Sequence, residues 1–466
     1  MTKKYSVYSV IIMLIIPLSS LTQNMNYLDR ELPAQWSNDT LFNIEYKIDT
    51  NWWASFDDML LDSLIRIAIS NNYSLKSAEA SLNKAYYNYK ESENEYFPNI
   101  SLDMGYYNSG SSLNMYDNTI ENPNRYTDYM QVSMSSKWAI DIFGSVRNNV
   151  KAMKKEYMSV EANYYNTILN ICAEVGMAYF NLRSYQQQYD LLKETIASSK
   201  AILNITLARY NTGLGSQLDV SQAKSVYYSS TAALPEIQSY ITRYINNIAL
   251  LIGVYPSDIA PMLENHRPLP NVVRIIDAGI PANSIRRRMD VRQAELAIEA
   301  NSAALGATKA DYYPKLYLSG SFGLLSHNIE NLADANSMTY QFTPTLTWNI
   351  FSGFQVRNAT RKAKMTLTES IEEYNETILN AVQEVESIMN IYANAIQAIQ
   401  EYQHVVNEGI KTLNLSVDIY KQGLGTFTNV LDAQRSLLSY QNNLISAQNS
   451  ALISLVRLYQ ALGGGW

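Results

Sequence analysis

Few side chains in this sequence stand where they could do covalent or metal chemistry. The three histidines, His266, His327 and His404, fall without ligand spacing. A lone cysteine, Cys172, rules out an internal disulfide and a CxxC-type metal site. Glu174 and Glu384 are carboxylates that an acid–base pair could use, but both lie in long helical patterns and read better as parts of solvated helix faces. Met104, Met130 and Met134 offer soft sulfur. On an apolar strand face methionine is more simply filler or lipid contact. No phosphate loop, dinucleotide fingerprint or GxSxG elbow occurs. The expectation is no enzyme, no cofactor and no metal site, so energy for any directed process must come from a partner.

The elements that would position these residues come in two copies. Tyr210 to Gly215 reads Tyr-Asn-Thr-Gly-Leu-Gly, and Tyr420 to Gly425 reads Tyr-Lys-Gln-Gly-Leu-Gly, 210 positions later. The same offset pairs Arg147-Asn148 with Arg357-Asn358, Glu174-Val175 with Glu384-Val385, Ala223 with Ala433 and Gly253 with Gly463. Two copies of one unit can occupy equivalent places around an axis. The repeat therefore argues for one elongated architecture rather than several separate domains.

A net charge of −7 and the lack of a dense Lys/Arg block argue against nucleic acid as a partner. The 36 tyrosines suit aromatic girdles at a membrane boundary, although a low-GC coding bias accounts for most of them. Residues 1–22 read as an export signal: Lys3 and Lys4, then an apolar stretch around Ile11 to Ile16, too short to span a bilayer as a helix. Leu18-Ser19-Ser20-Leu21 resembles a lipobox with leucine where the acylated cysteine would stand.

After an extended segment, 23–56, the first repeat covers 57–256, a linker 257–282 and the second repeat 283–466. Asp57 to Phe97 reads helical until Pro98 stops it. Ile100, Leu102, Met104 and Tyr106 then alternate with polar residues, as in a strand. A polar loop and a second strand through Met130, Val132 and Met134 to about Ile140 follow. From Arg147 to Tyr210 there is no proline and only Gly176, enough for about 95 Å of helix. Gly213-Leu214-Gly215 turns the chain back into a helix from about Ser216 to Ile252. The second repeat follows the same order: a helix from about Asn283 to Tyr313, Pro314, strands at 316–324 and 340–350, a helix from Arg357 to Tyr420, and the turn Gly423-Leu424-Gly425. In the last helix Val430, Leu437, Leu444, Ala451 and Leu458 recur by sevens, with a second column from Leu431 to Tyr459. Such columns favour supercoiling, here against neighbours on two sides.

Each strand pair has one apolar and one polar face. This suits a soluble sheet packed on helices, and equally a membrane barrel. Four strands cannot close a cylinder, however, and hydrocarbon does not tolerate open edges. If these strands meet lipid, several chains must share one barrel.

The order of elements, with Leu32-Pro33-Ala34-Gln35-Trp36, Trp52-Trp53 and Phe56, Tyr312-Tyr313-Pro314, Arg209 to Val220 and Arg288 to Glu295, resembles the outer membrane efflux protein family (TolC-like), in its NodT-type branch. The family commonly has proline where Met289 stands, which puts the local turn in question. The resemblance implies a mainly α fold with a membrane β-barrel. Three chains would give four strands each to a twelve-stranded barrel in outer membrane lipid, and their helices would form a long periplasmic tunnel. Segments near Ile259 to Ile280 and after His404 would contribute to or border an equatorial belt. The hairpin tips Gly213, Leu214, Gly215 and Gly423, Leu424, Gly425 would dock on a periplasmic membrane-fusion adaptor, although a turning role alone also explains the glycines. The resemblance implies that the adaptor would lead to an inner membrane pump, expected to be of the RND type. Asp432 matches a carboxylate that closes the tunnel in family members. Asn429 occupies a second, usually acidic position, and Asp219 is its counterpart in the first repeat. A capping or solvated aspartate is the plainer reading of both acids. Leu21 cannot be acylated, so anchoring would rest on the barrel. The expected function is passive export of drugs, metals or other small molecules. A type I protein-secretion duct is the nearest alternative, and a structural coiled-coil surface or fibre protein is the alternative of another class.

Overall fold

The computed structural model describes residues 32–33, 36, 42–43, 51–112, 126–270, 276–277 and 281–464. The export signal and Leu21 lie outside the described residues, as do most of the loop after the first long strand and parts of the linker. In chain order the elements are β1 (Phe42–Asn43), α1 (Met59–Asn71), α2 (Tyr73–Glu93), β2 (Asn99–Gly110), β3 (Tyr126–Ile140), α3 (Ser145–Asn211), α4 (Gln217–Ile252) and α5 (Pro256–Leu263). There follow β4 (Ile276–Asp277), α6 (Pro281–Arg287), α7 (Met289–Ala310), β5 (Lys315–Ser326), β6 (Met338–Thr347), α8 (Gln355–Lys421) and α9 (Phe427–Ala461).

The helices α3 and α8 are each 67 residues long and unbroken, on the order of 100 Å. Propensity alone does not sustain helices of this length; packing along a face does. Their middles meet the ends of α4 and α9 in one continuous core, which includes Cys172, Val175, Tyr179, Ile248, Val385, Met389, Tyr392, Leu452 and Leu455. A short 3-10 turn, Trp52–Phe56, plugs this core. Trp52 stacks on Tyr459 with ring centres 5.5 Å apart. Gly176 makes room for it: a Cβ there would sit 3.2 Å from the Trp52 ring. This accounts for the one glycine inside α3, at a site where alanine would be the better helix former. A smaller core near the far ends of the helices joins Ile202, Val226, Tyr420, Phe427 and Val430. Both heptad columns of α9 are buried or half-buried, against α8 on one side and α3 and α4 on the other.

Two expectations from sequence are corrected. The helix expected from Asp57 to Phe97 is two, because Asn72 leaves helical geometry. Its side chain accepts from the Leu75 amide and donates to the Leu251 carbonyl of α4. The helix expected from Asn283 to Tyr313 breaks at Arg288, which is extended even though Met289 is not proline. Arg288 is held instead by its side chain, which reaches Asp290, Glu384 and the Ala461 carbonyl at 2.8 Å each. The segment after His404 lies within α8.

β1 pairs in parallel with β4. Arg183 of α3, wholly buried, donates to the Asn265 carbonyl, and Gln186 donates to the Leu263 carbonyl, both at 2.7 Å. At the opposite end from the Gly-Leu-Gly turns, the four long strands form one antiparallel sheet in the order β2-β3-β5-β6.

Candidate functional site

Two regions could carry function: the sheet and the paired hairpin tips. In the sheet, alternation sorts most side chains by face. Leu102 lies opposite Met134, Met134 opposite Phe322, and Phe322 opposite Tyr340. All four belong to the apolar face, and Leu102, Met134, Phe322 and Tyr340 are exposed. On the other face Ser101 opposes Ser135, Ser135 opposes Ser321, and Ser321 opposes Gln341. That polar face lines a concavity of about 1000 Å³ that also includes Lys137, Thr343 and Thr345. Pro344 stands on β6, an edge strand of the sheet within one chain. No helix among the described residues is long and apolar enough to cross a membrane.

The tips are built alike. α3 and α8 each end in a glycine with positive φ, Gly213 at 77° and Gly423 at 79°. Gly213 donates to the Tyr210 carbonyl and Leu214 to that of Arg209; Gly423 and Leu424 repeat this on Tyr420 and Ile419. These paired bonds close a helix end on a left-handed residue, which glycine adopts without steric cost. Both turns leave their leucine in solvent, Leu214 at 69% and Leu424 at 78% exposure. Gly215 and Gly425 complete the turns and are half-buried.

One residue joins the two tips. The Arg209 guanidinium donates to the carbonyls of Tyr420 (2.6 Å), Lys421 (3.0 Å) and Leu214 (2.9 Å) and lies over the Tyr420 ring. Sequence reasoning assigned Arg209 no role. A signal existed, because its repeat counterpart is Ile419, so this one cation breaks the symmetry of two otherwise matching turns. Tyr420 is buried, and burial raises its phenol above the usual tyrosine value.

The three residues considered for the gate stand on two helices, α4 and α9. Asp219 sits in the capping box of α4 with Ser216, and the Tyr420 hydroxyl approaches it at 3.4 Å. Asn429 and Asp432 stand one turn apart on α9 and are exposed. They line a groove of about 700 Å³ with His404, Glu408 and Thr412 of α8. Of the two repeat-related glutamates, Glu174 is exposed, whereas Glu384 accepts an ion pair from Arg288 and is not a merely solvated side chain. His266 pairs with Asp190, and His327 meets the Asp128 carbonyl. Among the described residues no cluster of His, Cys, Asp and Glu could hold a metal ion.

An apolar-out, polar-in strand set above a bundle of very long helices defines a class of protein: a channel that crosses a membrane as part of a barrel and continues as a helical tunnel. The chain belongs to the outer membrane efflux protein family, whose model matches residues 64–254 and 280–464. It is 27% identical over 374 residues to the antibiotic efflux pump outer membrane protein ArpC of Pseudomonas putida, covering 78% of this chain and 76% of that one. It is 25% identical over 375 residues to nodulation protein T of Rhizobium leguminosarum bv. trifolii, covering 80% and 79%. The solved outer-membrane channel OprN shares its fold, with a TM-score of 0.88 and 24% identity over 94% of this chain and 98% of that one. The chain is thus an outer membrane efflux channel protein, with its sheet in the outer membrane and its helices extending into the periplasm.

Proposed function

We propose that three copies of this chain form the passive outer membrane duct of a tripartite efflux system. The observation that carries this reading is the four-stranded sheet, apolar on one face and polar on the other, with both edges unpaired among the described residues. Unpaired edges in hydrocarbon cost several kcal/mol per backbone group, so a lone copy is not a stable membrane element. Three copies supply twelve strands and a wet lumen lined by Ser, Thr and Gln.

On this reading the tips at Gly213–Gly215 and Gly423–Gly425 dock on a periplasmic adaptor, which connects them to an RND-type inner membrane pump. The exposed Leu214 and Leu424 support docking, since each presents an apolar side chain on a tight turn. Asp432, three times over, would ring the lower constriction; Asn429 adds hydrogen bonding, and Asp219 acts through its contact with Tyr420. The naming of the P. putida relative for antibiotic efflux favours small-molecule export over protein secretion. Its chemistry is diffusion, with selection left to the pump. The test is light scattering of the detergent-solubilised protein together with conductance in planar bilayers. A trimer that forms pores is expected, and a monomer that never enters lipid would refute the proposal.

A further inference from the structure

The internal repeat of this chain specifies the joint that the chain itself lacks. The two hairpins have one register. Asn99 pairs with Lys137 in the first, and Lys315 with Thr347 in the second. β2 and β5 are both 12 residues long and correspond at an offset of 216, while β3 and β6 correspond at 210. The junction between the hairpins, β3 with β5, runs from Met130 opposite Ser326 to Ile140 opposite Leu316. Applying the two offsets to that junction gives a pairing of β6 with a β2 that this chain cannot supply, because its own β2 lies at the far edge of the sheet.

We infer that β6 of one copy pairs with β2 of the next in the register Ile350 opposite Ile100, Trp348 opposite Leu102, Leu346 opposite Met104 and Pro344 opposite Tyr106. This rests on the proposed trimer and adds its register. Two independent features support it. First, the image of β3 extends to Ile350, yet β6 ends at Thr347. The missing residues, 348–350, are the images of Trp138, Ala139 and Ile140, which β5 alone pairs in the first repeat. They lack strand pairing where their partner would be the neighbouring copy. Trp348 is nevertheless placed as Trp138 is: each indole N–H donates to a carbonyl two residues before the helix-ending proline, Tyr312 and Tyr96, at 3.1 and 3.0 Å. Second, the register sets apolar residues against apolar ones on the lipid side. Ile100, Leu102, Met104, Leu346, Trp348 and Ile350 are all more than half exposed in the single chain. A one-residue slip would oppose them to lumen-facing polar side chains, which the pleat forbids.

The repeat transfers the register but not every contact. Gly323 lets β5 approach Ser133 closely, and its image is Tyr107. Pairing there must accommodate a ring.

The test is disulfide trapping in the full-length protein in membranes. Cys172 is buried and serves as the common background. Met104→Cys with Leu346→Cys should close all three joints and yield a covalent trimer on a denaturing gel. The slipped pairs, Leu102→Cys or Tyr106→Cys with Leu346→Cys, should cross-link at least about tenfold more slowly, because diagonal neighbours exceed disulfide reach. A slipped pair that cross-links best overturns the register, and so does the absence of any cross-link in a protein that is trimeric by light scattering. A monomer by light scattering would instead remove the trimer on which the register stands.

Discussion

The Arg209 guanidinium of α3 donates at 2.6 Å to the Tyr420 carbonyl in the last turn of α8, so that one helical hairpin caps the other. It also bonds the Lys421 and Leu214 carbonyls, and these acceptors come from both tips. A helix end has free carbonyls and partial negative charge, and a cation there satisfies both. Arg209→Ala should lower the local opening free energy of the tip by about 1–3 kcal/mol. Faster amide exchange at Gly423 and Leu424, with the core unaffected, would show it. Arg209→Lys should recover little, because a single ammonium cannot copy the guanidinium fork.

Gly213 has φ of 77° and no atom within 4 Å of where a Cβ would stand. Within the chain, substitution there meets only backbone strain, which asparagine tolerates. Gly213→Asn should therefore keep efflux. Gly213→Trp should leave the trimer intact but weaken adaptor binding about tenfold, ~1.4 kcal/mol. Efflux of a fluorescent dye from cells, compared with trimer yield, separates the two. Equal efflux in both variants would exclude this tip from docking.

Arg288 ties the start of α7 to α8 and to the end of α9 through Asp290, Glu384 and the Ala461 carbonyl. The arginine is nearly buried, while its carboxylate partners are a third or more exposed. Solvent therefore screens part of the pairing. Arg288→Ala should cost about 1–3 kcal/mol of stability, visible as a lower denaturation midpoint. Glu384→Gln should cost less, since an amide oxygen still accepts.

The large pattern of this fold is legible in the residues because it is local and repeated. Strand alternation, proline stops and the Gly-Leu-Gly turns each announce themselves within a few positions. What the sequence hides is held by distant partners. Asn72 divides α1 from α2 by reaching Leu251, and Arg288 breaks α6 from α7 by reaching Ala461. Neither position is a glycine or proline; Asn72 is a favoured N-cap type that also caps α2 locally, whereas nothing local marks the break at Arg288. Phe354 shows the opposite case. It adopts φ of 67° where its repeat counterpart is Gly144 at 80°, a conformation its side chain would not suggest. At the tip, comparison of the two repeats exposes Arg209 through its mismatch with Ile419, but its acceptors are main-chain atoms that no residue pattern reveals.

Burial raises the Cys172 thiol and the Tyr179 phenol to about 12, and raises the phenols of Tyr392 and Tyr420 as well. All four lie in the helical region. Each group keeps its proton in the folded chain at a pH where the unfolded chain loses it. Their contribution is complete below the unfolded values, near 9 for the thiol and 10 for the phenols, and is lost as pH rises through the folded values. Stability should thus be insensitive to these groups near pH 8 and fall above about pH 9, by up to ~1.4 kcal/mol per pH unit for each group. Denaturation midpoints between pH 8 and 11 measure this. Tyr392→Phe should flatten the decline.

Asp432 is the one carboxylate of the three gate residues that is both exposed and free of a cap. Asp219 is held in its capping box with Ser216, and Asn429 carries no charge. In a trimer about a common axis, three Asp432 side chains would impose negative potential on the narrow end of the tunnel, which attracts cations and repels anions. Asp432→Ala should reduce cation preference by about twofold in planar bilayers. Asn429→Asp should act in the opposite sense, because it adds a second charged ring one turn away. Salt separates the electrostatic effect from a steric one: at 1 M the Debye length falls to about 3 Å, and the selectivity difference should shrink while any change in pore width persists. If conductance and selectivity are unchanged in both variants, the constriction lies elsewhere than the α8–α9 groove.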